Sequence, residues 1–143
     1  MIVLDTTVLV YATGVEHELR DPCRELVRAV ADGRVEAATT VEVIQEFVHV
    51  RARRRTRADA VELGAAFVDL LGPLVTVTAG HLVDGLRLLL DHDRLGAFDA
   101  VLAAAALDVG ARALMSADQA FASVPGLWHL VPDATSVRQL LGG

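Results

Sequence analysis

The chain has 143 residues, is 53% hydrophobic and carries a formal net charge of −6 at pH 7, which suits a single domain over 1–143 with a real core and argues against a general polyanion binder. All 13 basic residues are arginine, so lysine-dependent chemistry, from Walker-type phosphate loops to Schiff-base catalysis, is excluded. Cys23 is the single cysteine; an intramolecular disulfide or a cysteine-based zinc site is impossible, and the thiol is expected to pack inside a helix face.

In chain order, Ile2, Val3 and Leu4 form a short β-branched and aliphatic run that leads through Asp5, Thr6 and Thr7 straight into a helix, the threonine hydroxyls suiting a helix start. Cys23, Leu26, Val27 and Val30 recur at helical spacing, with Pro22 suited to the first helical position and Gly33 to the stop. Residues 35–39 read as a second strand, and Thr39 or Thr40 caps a helix whose apolar face is Val43, Ile44, Phe47, Val48 and Val50. A break near Thr56 and Asp59 starts another helix, closed by Gly72-Pro73. Residues 74–77 are expected as a third strand and 82–90 as a helix. The Ala-rich segment 97–109, ending at Gly110, is expected as a largely buried helix. Strands at 113–115 and 128–131 and a closing helix at 134–141 complete the order.

Strands alternating with helices predict a parallel sheet of four to five strands covered on both faces. The longest apolar runs fall far short of the roughly 20 residues that cross a bilayer, and Met1 leads directly into a strand with no basic leader. A cytoplasmic protein with no membrane partner is the expectation.

Four acids stand where strands end or helices begin: Asp5, Glu46, Asp99 and Asp118. In a parallel sheet, ligands collect outside the carboxyl ends of the strands, where Asp5 and Asp118 would lie; Glu46 and Asp99, one turn or less into helices entered from that edge, can converge there. Three have a plainer reading by themselves: Asp99 as a helix-dipole partner, Asp118 as a turn acid, Glu46 as a member of a pair with Glu42; Asp5, after a buried-looking strand, does not read as a mere turn residue. Together they form a cluster that cannot stay fully ionised without a cation. Oxygen-only ligands select a hard ion, Mg²⁺ or Mn²⁺, and such an ion suits phosphodiester hydrolysis.

The segments DTTVLVYA, TTVEVIQEF, FDAVLAAAAL and LMSADQAF resemble the four motifs of the PIN domain, especially of the VapC-type toxins of bacterial toxin-antitoxin pairs. The resemblance covers nearly the whole chain with the motifs in family order. It implies a three-layer α/β/α sandwich and a metal-dependent endoribonuclease that cuts single-stranded or looped RNA, of the tRNA or rRNA class, by in-line attack of an activated water. It assigns Asp5, Asp99 and Asp118 to the metal, Glu46 to the same acidic quartet, and Thr7 and Ser116 to supporting positions, with helix capping the rival role for Thr7. It also implies a cognate antitoxin laid over the active edge and a homodimer.

Arg51, Arg53, Arg54, Arg55 and Arg57 form the one dense basic patch. Arg53 and Arg54 lie about 10 to 12 Å beyond Glu46 along a continuing helix at 1.5 Å per residue, so Arg51, Arg53 and Arg54 are candidates to guide an RNA backbone. A solvated helix end or an acidic protein partner would use the same charges. His49, His81, His92 and His129 lack a paired ligand spacing and are expected at surface or capping positions, and Asp91 and Asp93 in a solvated loop. Phosphatases of the haloacid-dehalogenase type need a second Asp where Thr7 stands, and response-regulator receivers need a lysine. The alternatives left open are a housekeeping RNA-processing nuclease and a non-catalytic binding module of the same fold.

Overall fold

The computed structural model describes residues 1–142. β1 (Ile2–Leu4) is buried at every position, and Asp5 both ends it and begins α1 (Thr6–Thr13), its carboxylate accepting from the Thr7 N–H. That N-cap satisfies a donor which the first turn of a helix leaves open. α2 (Arg20–Ala31) buries Cys23, Leu26 and Ala29 and starts two residues before Pro22. Burial pushes the Cys23 thiol up to about 12, so it is an inert core group.

β2 (Ala37–Ala38) is shorter than the expected 35–39, because the chain turns at Thr40, whose hydroxyl caps α3 (Val41–Arg54). α3 packs on α4 (Arg57–Leu71), itself capped by Thr56, through an edge-to-face pair of Phe47 and Phe67 with centroids 5.1 Å apart. The strand expected at 74–77 does not form. Val75 makes one parallel bridge to Thr40, and its would-be partner has already turned into α3, so no ladder can extend.

α5 (Ala79–Asp91) begins three residues earlier than expected, at a capping box in which Thr78 and His81 serve each other's backbone N–H groups. It pairs with α6 (Ala97–Asp108). A Cβ on Gly85 would lie 3.0 Å from the Val101 backbone nitrogen, so only glycine lets the two helices approach this closely. β3 (Ala113–Met115), a short 3₁₀ helix (Gln119–Ser123), β4 (His129–Leu130) and α7 (Ala134–Gly142) follow.

The sheet has four strands in the order β2-β1-β3-β4, all parallel, with helices flanking it in the expected α/β sandwich. β1 and β3 are central and fully buried. β1 pairs Ile2 with Ala37 on one side and with Ala113 on the other, so chain connections leave it in opposite directions and open a crevice at its carboxyl end. Among the described residues no helix is long and apolar enough to cross a membrane.

Candidate active site

The crevice at the carboxyl ends of β1 and β3 receives Asp5 and Ser116. Asp5 is only 4% exposed, and its backbone N–H donates to the Met115 carbonyl at 3.0 Å, which fixes it against β3. Every hydrogen bond to its carboxylate lands on Oδ2: from the Ser116 hydroxyl at 2.6 Å, the Thr7 hydroxyl at 2.9 Å and the Thr7 N–H at 3.4 Å. Thr7 is therefore not the cap of α1, since Asp5 caps it. Its oxygen accepts instead from the Ala117 N–H at 2.9 Å, stitching α1 to the loop after β3. Ser116 in turn accepts from the Asp118 N–H at 3.0 Å. Asp118 caps the 3₁₀ helix, with Oδ1 accepting from the Ala120 N–H at 2.9 Å.

Asp99 and Glu46 arrive from helices. Asp99 is the third residue of α6, inside the first turn as expected. Glu46 is the sixth residue of α3, a turn deeper than expected, and its Oε2 accepts from the Thr6 hydroxyl at 3.0 Å. All four acids line one cleft of about 420 Å³ with Thr6, Thr7, Tyr11 and Arg54. Thr6, buried at 5% exposure, is a site residue that the motif reading missed. A second is Glu42, which lines an adjoining recess with Asp5, Glu46 and Asp99.

The cluster is short of positive charge. The Asp99 carboxyl is raised from its ordinary value to about 7, first by burial, then by the charges of Asp5 and Asp118, a hydrogen bond with Asp118, and Glu46. Among the described residues no group of three His, Cys, Asp or Glu side chains is arranged as it stands to hold a metal ion. The donor chemistry nonetheless fits a hard cation. Asp5 anchors through Oδ2, Glu46 through Oε2 and Asp118 through Oδ1; among the described residues none of these carboxylates leaves a buried oxygen unsatisfied. One oxygen of each is held and the other can face an ion with water still bound to it.

The arginines separate. Glu46, Val50 and Arg54 stand at i, i+4 and i+8 along one ridge of α3, and Val50 and Arg54 line the acid cleft. His49 and Arg53 form the neighbouring ridge, in a hollow on the α4 side with Arg57 and Val61; the shared face expected for Arg53 and Arg54 is divided by the packing of α4. Arg51 is committed elsewhere, to the Asp59 carboxylate and to the Thr13 carbonyl at 2.8 Å. That pairing holds the Asp59 carboxyl below its usual range. His81 serves the capping box and contacts Asp108 at 2.9 Å, while His129 contacts the Ser116 carbonyl oxygen at 2.9 Å, behind the site. Asp91 and Asp93 are exposed and line neither recess.

The family model described as PIN domain matches residues 2–127. The chain is 55% identical over 146 residues to Ribonuclease VapC7 of Mycobacterium tuberculosis, covering 99% of both chains. It is 29% identical over 133 residues to VapC ribonuclease Mb1869c of Mycobacterium bovis and to Ribonuclease VapC13 of Mycobacterium tuberculosis, covering 91% of this chain and 99% of each relative.

Proposed function

Since the chain belongs to the PIN-domain family, we propose that it is a VapC-type toxin, an endoribonuclease that hydrolyses RNA phosphodiesters at the acid cleft with a divalent metal ion. Full-length similarity to a relative named as a ribonuclease supports the activity. The observation that carries the assignment to this cleft is the convergence of Asp5, Glu46, Asp99 and Asp118, with Asp99 raised to about 7 by burial and by the other acids. Such an arrangement is stable when positive charge enters it.

Asp5, Asp99 and Asp118 would hold the ion directly or through water, and Glu46 would complete the shell or orient the nucleophile. When bound, Mg²⁺ or Mn²⁺ supplies Lewis acidity toward a phosphoryl oxygen and toward water. The protein supplies position. Thr7 and Ser116 immobilise Asp5, and Thr6 holds Glu46 over the cleft. Arg54 draws the phosphate backbone toward the acids. A water attacks phosphorus in line, the P–O3′ bond breaks, and the products carry a 5′-phosphate and a 3′-hydroxyl.

The RNA is of the tRNA or rRNA class, and the partner is a cognate antitoxin that covers the active edge. Exposed Val41, Val61 and Val68 on α3 and α4 suit such a protein contact, and exposed Leu82, Val83 and Leu86 on α5 suit a homodimer. The test is cleavage of a mixed tRNA and rRNA panel by purified protein in Mg²⁺, in Mn²⁺ and in EDTA, beside Asp5→Ala. Cuts that need both the metal and Asp5 are expected. Intact RNA after treatment with folded, metal-loaded, antitoxin-free protein would overturn the assignment.

A further inference from the structure

The acid cleft does not end at Arg54. Val10, Val50 and Arg54 also line a second hollow of about 380 Å³, whose wall includes Phe47 and whose rim includes Val15 and Arg55. Arg54 therefore stands at the junction of two spaces, one holding the four acids, the other walled by Val10, Val15, Phe47 and Val50 and edged by arginines. At 1.5 Å per residue it lies about 12 Å along α3 from Glu46. Arg51, in the same wall, is neutralised by Asp59. Arg54 makes no ion pair among the described residues, and its side chain is exposed. Val15, at the mouth of the hollow, is 72% exposed.

A free guanidinium beside a slot with aliphatic and aromatic walls and a basic rim, continuous with a cleft that handles a phosphodiester, matches the chemistry of one nucleotide: a flat base attached to an anionic backbone. We propose that this hollow is a subsite for the base of a nucleotide flanking the scissile phosphate, with Arg54 on the phosphate between them. The proposal rests on the ribonuclease assignment and adds to it a place for one base beside the scissile phosphate.

The test begins by mapping the cut made by the wild-type protein in the RNA panel. A short single-stranded RNA spanning that cut is then made intact, and again with an abasic ribose at each flanking nucleotide in turn. One abasic position is expected to lower the wild-type kcat/KM about tenfold or more, mainly through KM. Val15→Trp, which plugs the mouth from an exposed position, should lower kcat/KM on the intact RNA by a similar factor and lose discrimination between intact and abasic strands. Arg54→Ala should raise KM and flatten its salt dependence. Melting curves of both variants establish folding, and each reads the same hollow independently. The inference is overturned if the wild-type protein cuts abasic and intact RNA alike, or if both variants discriminate as the wild type does. It is also overturned if Val15→Trp keeps its RNA kinetics but no longer retains a co-expressed antitoxin, which would make the hollow a protein-docking site. A wild-type protein that cuts no RNA removes the ribonuclease assignment itself, a result distinct from all of these.

Discussion

The strand-borne half of the site and its helix-borne half are built on different principles. Asp5, Ser116 and Asp118 sit at strand ends, tied to one another and to backbone N–H groups by bonds of 2.6 to 3.0 Å. Glu46 projects from the second turn of α3 and is exposed, held by the Thr6 hydroxyl, and Asp99 is raised to about 7 first by burial and then by the like charges around it. The first half is preorganised by hydrogen bonds that exist without any ligand. The second half is electrostatically incomplete until a cation arrives. Asp5 also caps α1, so on the strand side the group that serves chemistry is the same group that starts a helix.

The largest test of that contrast is Asp5→Asn, which keeps a good capping acceptor and removes the charge. Its cleavage rate should fall about a hundred- to a thousandfold, the scale of a lost charge-stabilising group, while the thermal midpoint moves little. A large loss of stability instead would mean that the strand side is held by charge after all.

The helix side should show itself in pH. In EDTA, Asp99 takes its proton in the folded state at about 7 and unfolded near 3.8. Between those values the native state binds more protons than the unfolded one, so stability falls as pH rises from about 4 to about 7 and stays low above that. The shift bounds the loss at about 4 kcal/mol, and solvent screening at this partly exposed carboxyl reduces it to about 1–2 kcal/mol. Asp99→Asn should flatten the slope in urea titrations across that range, and saturating Mg²⁺ should flatten it in the wild type. An unchanged slope in Asp99→Asn would assign the pH dependence to other groups.

Thr6→Val should lower kcat about tenfold with KM for RNA little changed, and Thr6→Ser should restore it, because the hydroxyl orients Glu46. Equal activity of the valine variant would show that Glu46 needs no support. The smallest effect belongs to Arg53→Ala, on the ridge facing α4: less than about twofold in kcat/KM, with the salt dependence preserved. A loss comparable to that of Arg54→Ala would mean that RNA wraps over both ridges.

Much of this was legible in the sequence where local signals are strong. The run Ile2-Val3-Leu4 into Asp5, the Ala-rich α6 and a threonine cap on α3, narrowed by the sequence to Thr39 or Thr40, all follow from patterning and capping chemistry, and the acids collect at the expected edge. What failed depended on distant chain. Residues 74–77 have strand-forming side chains, yet pairing there is limited by where β2 turns, more than 30 residues earlier. Thr6 became a site residue through a glutamate 40 positions away, and no local signal separates its hydroxyl from that of Thr7. Arg53 and Arg54 are equivalent until α4 takes one side of the helix.

The order β2-β1-β3-β4 also governs when the protein can act. β1 is synthesised well before its central neighbour β3 and the hydroxyl of Ser116, which comes 111 residues after Asp5. A chain emerging from the ribosome carries Asp5 and Glu46 long before the strand that closes the site exists, and domains fold as whole units during synthesis. The site is thus assembled only once β3 has followed β1, so its two halves come together late in synthesis.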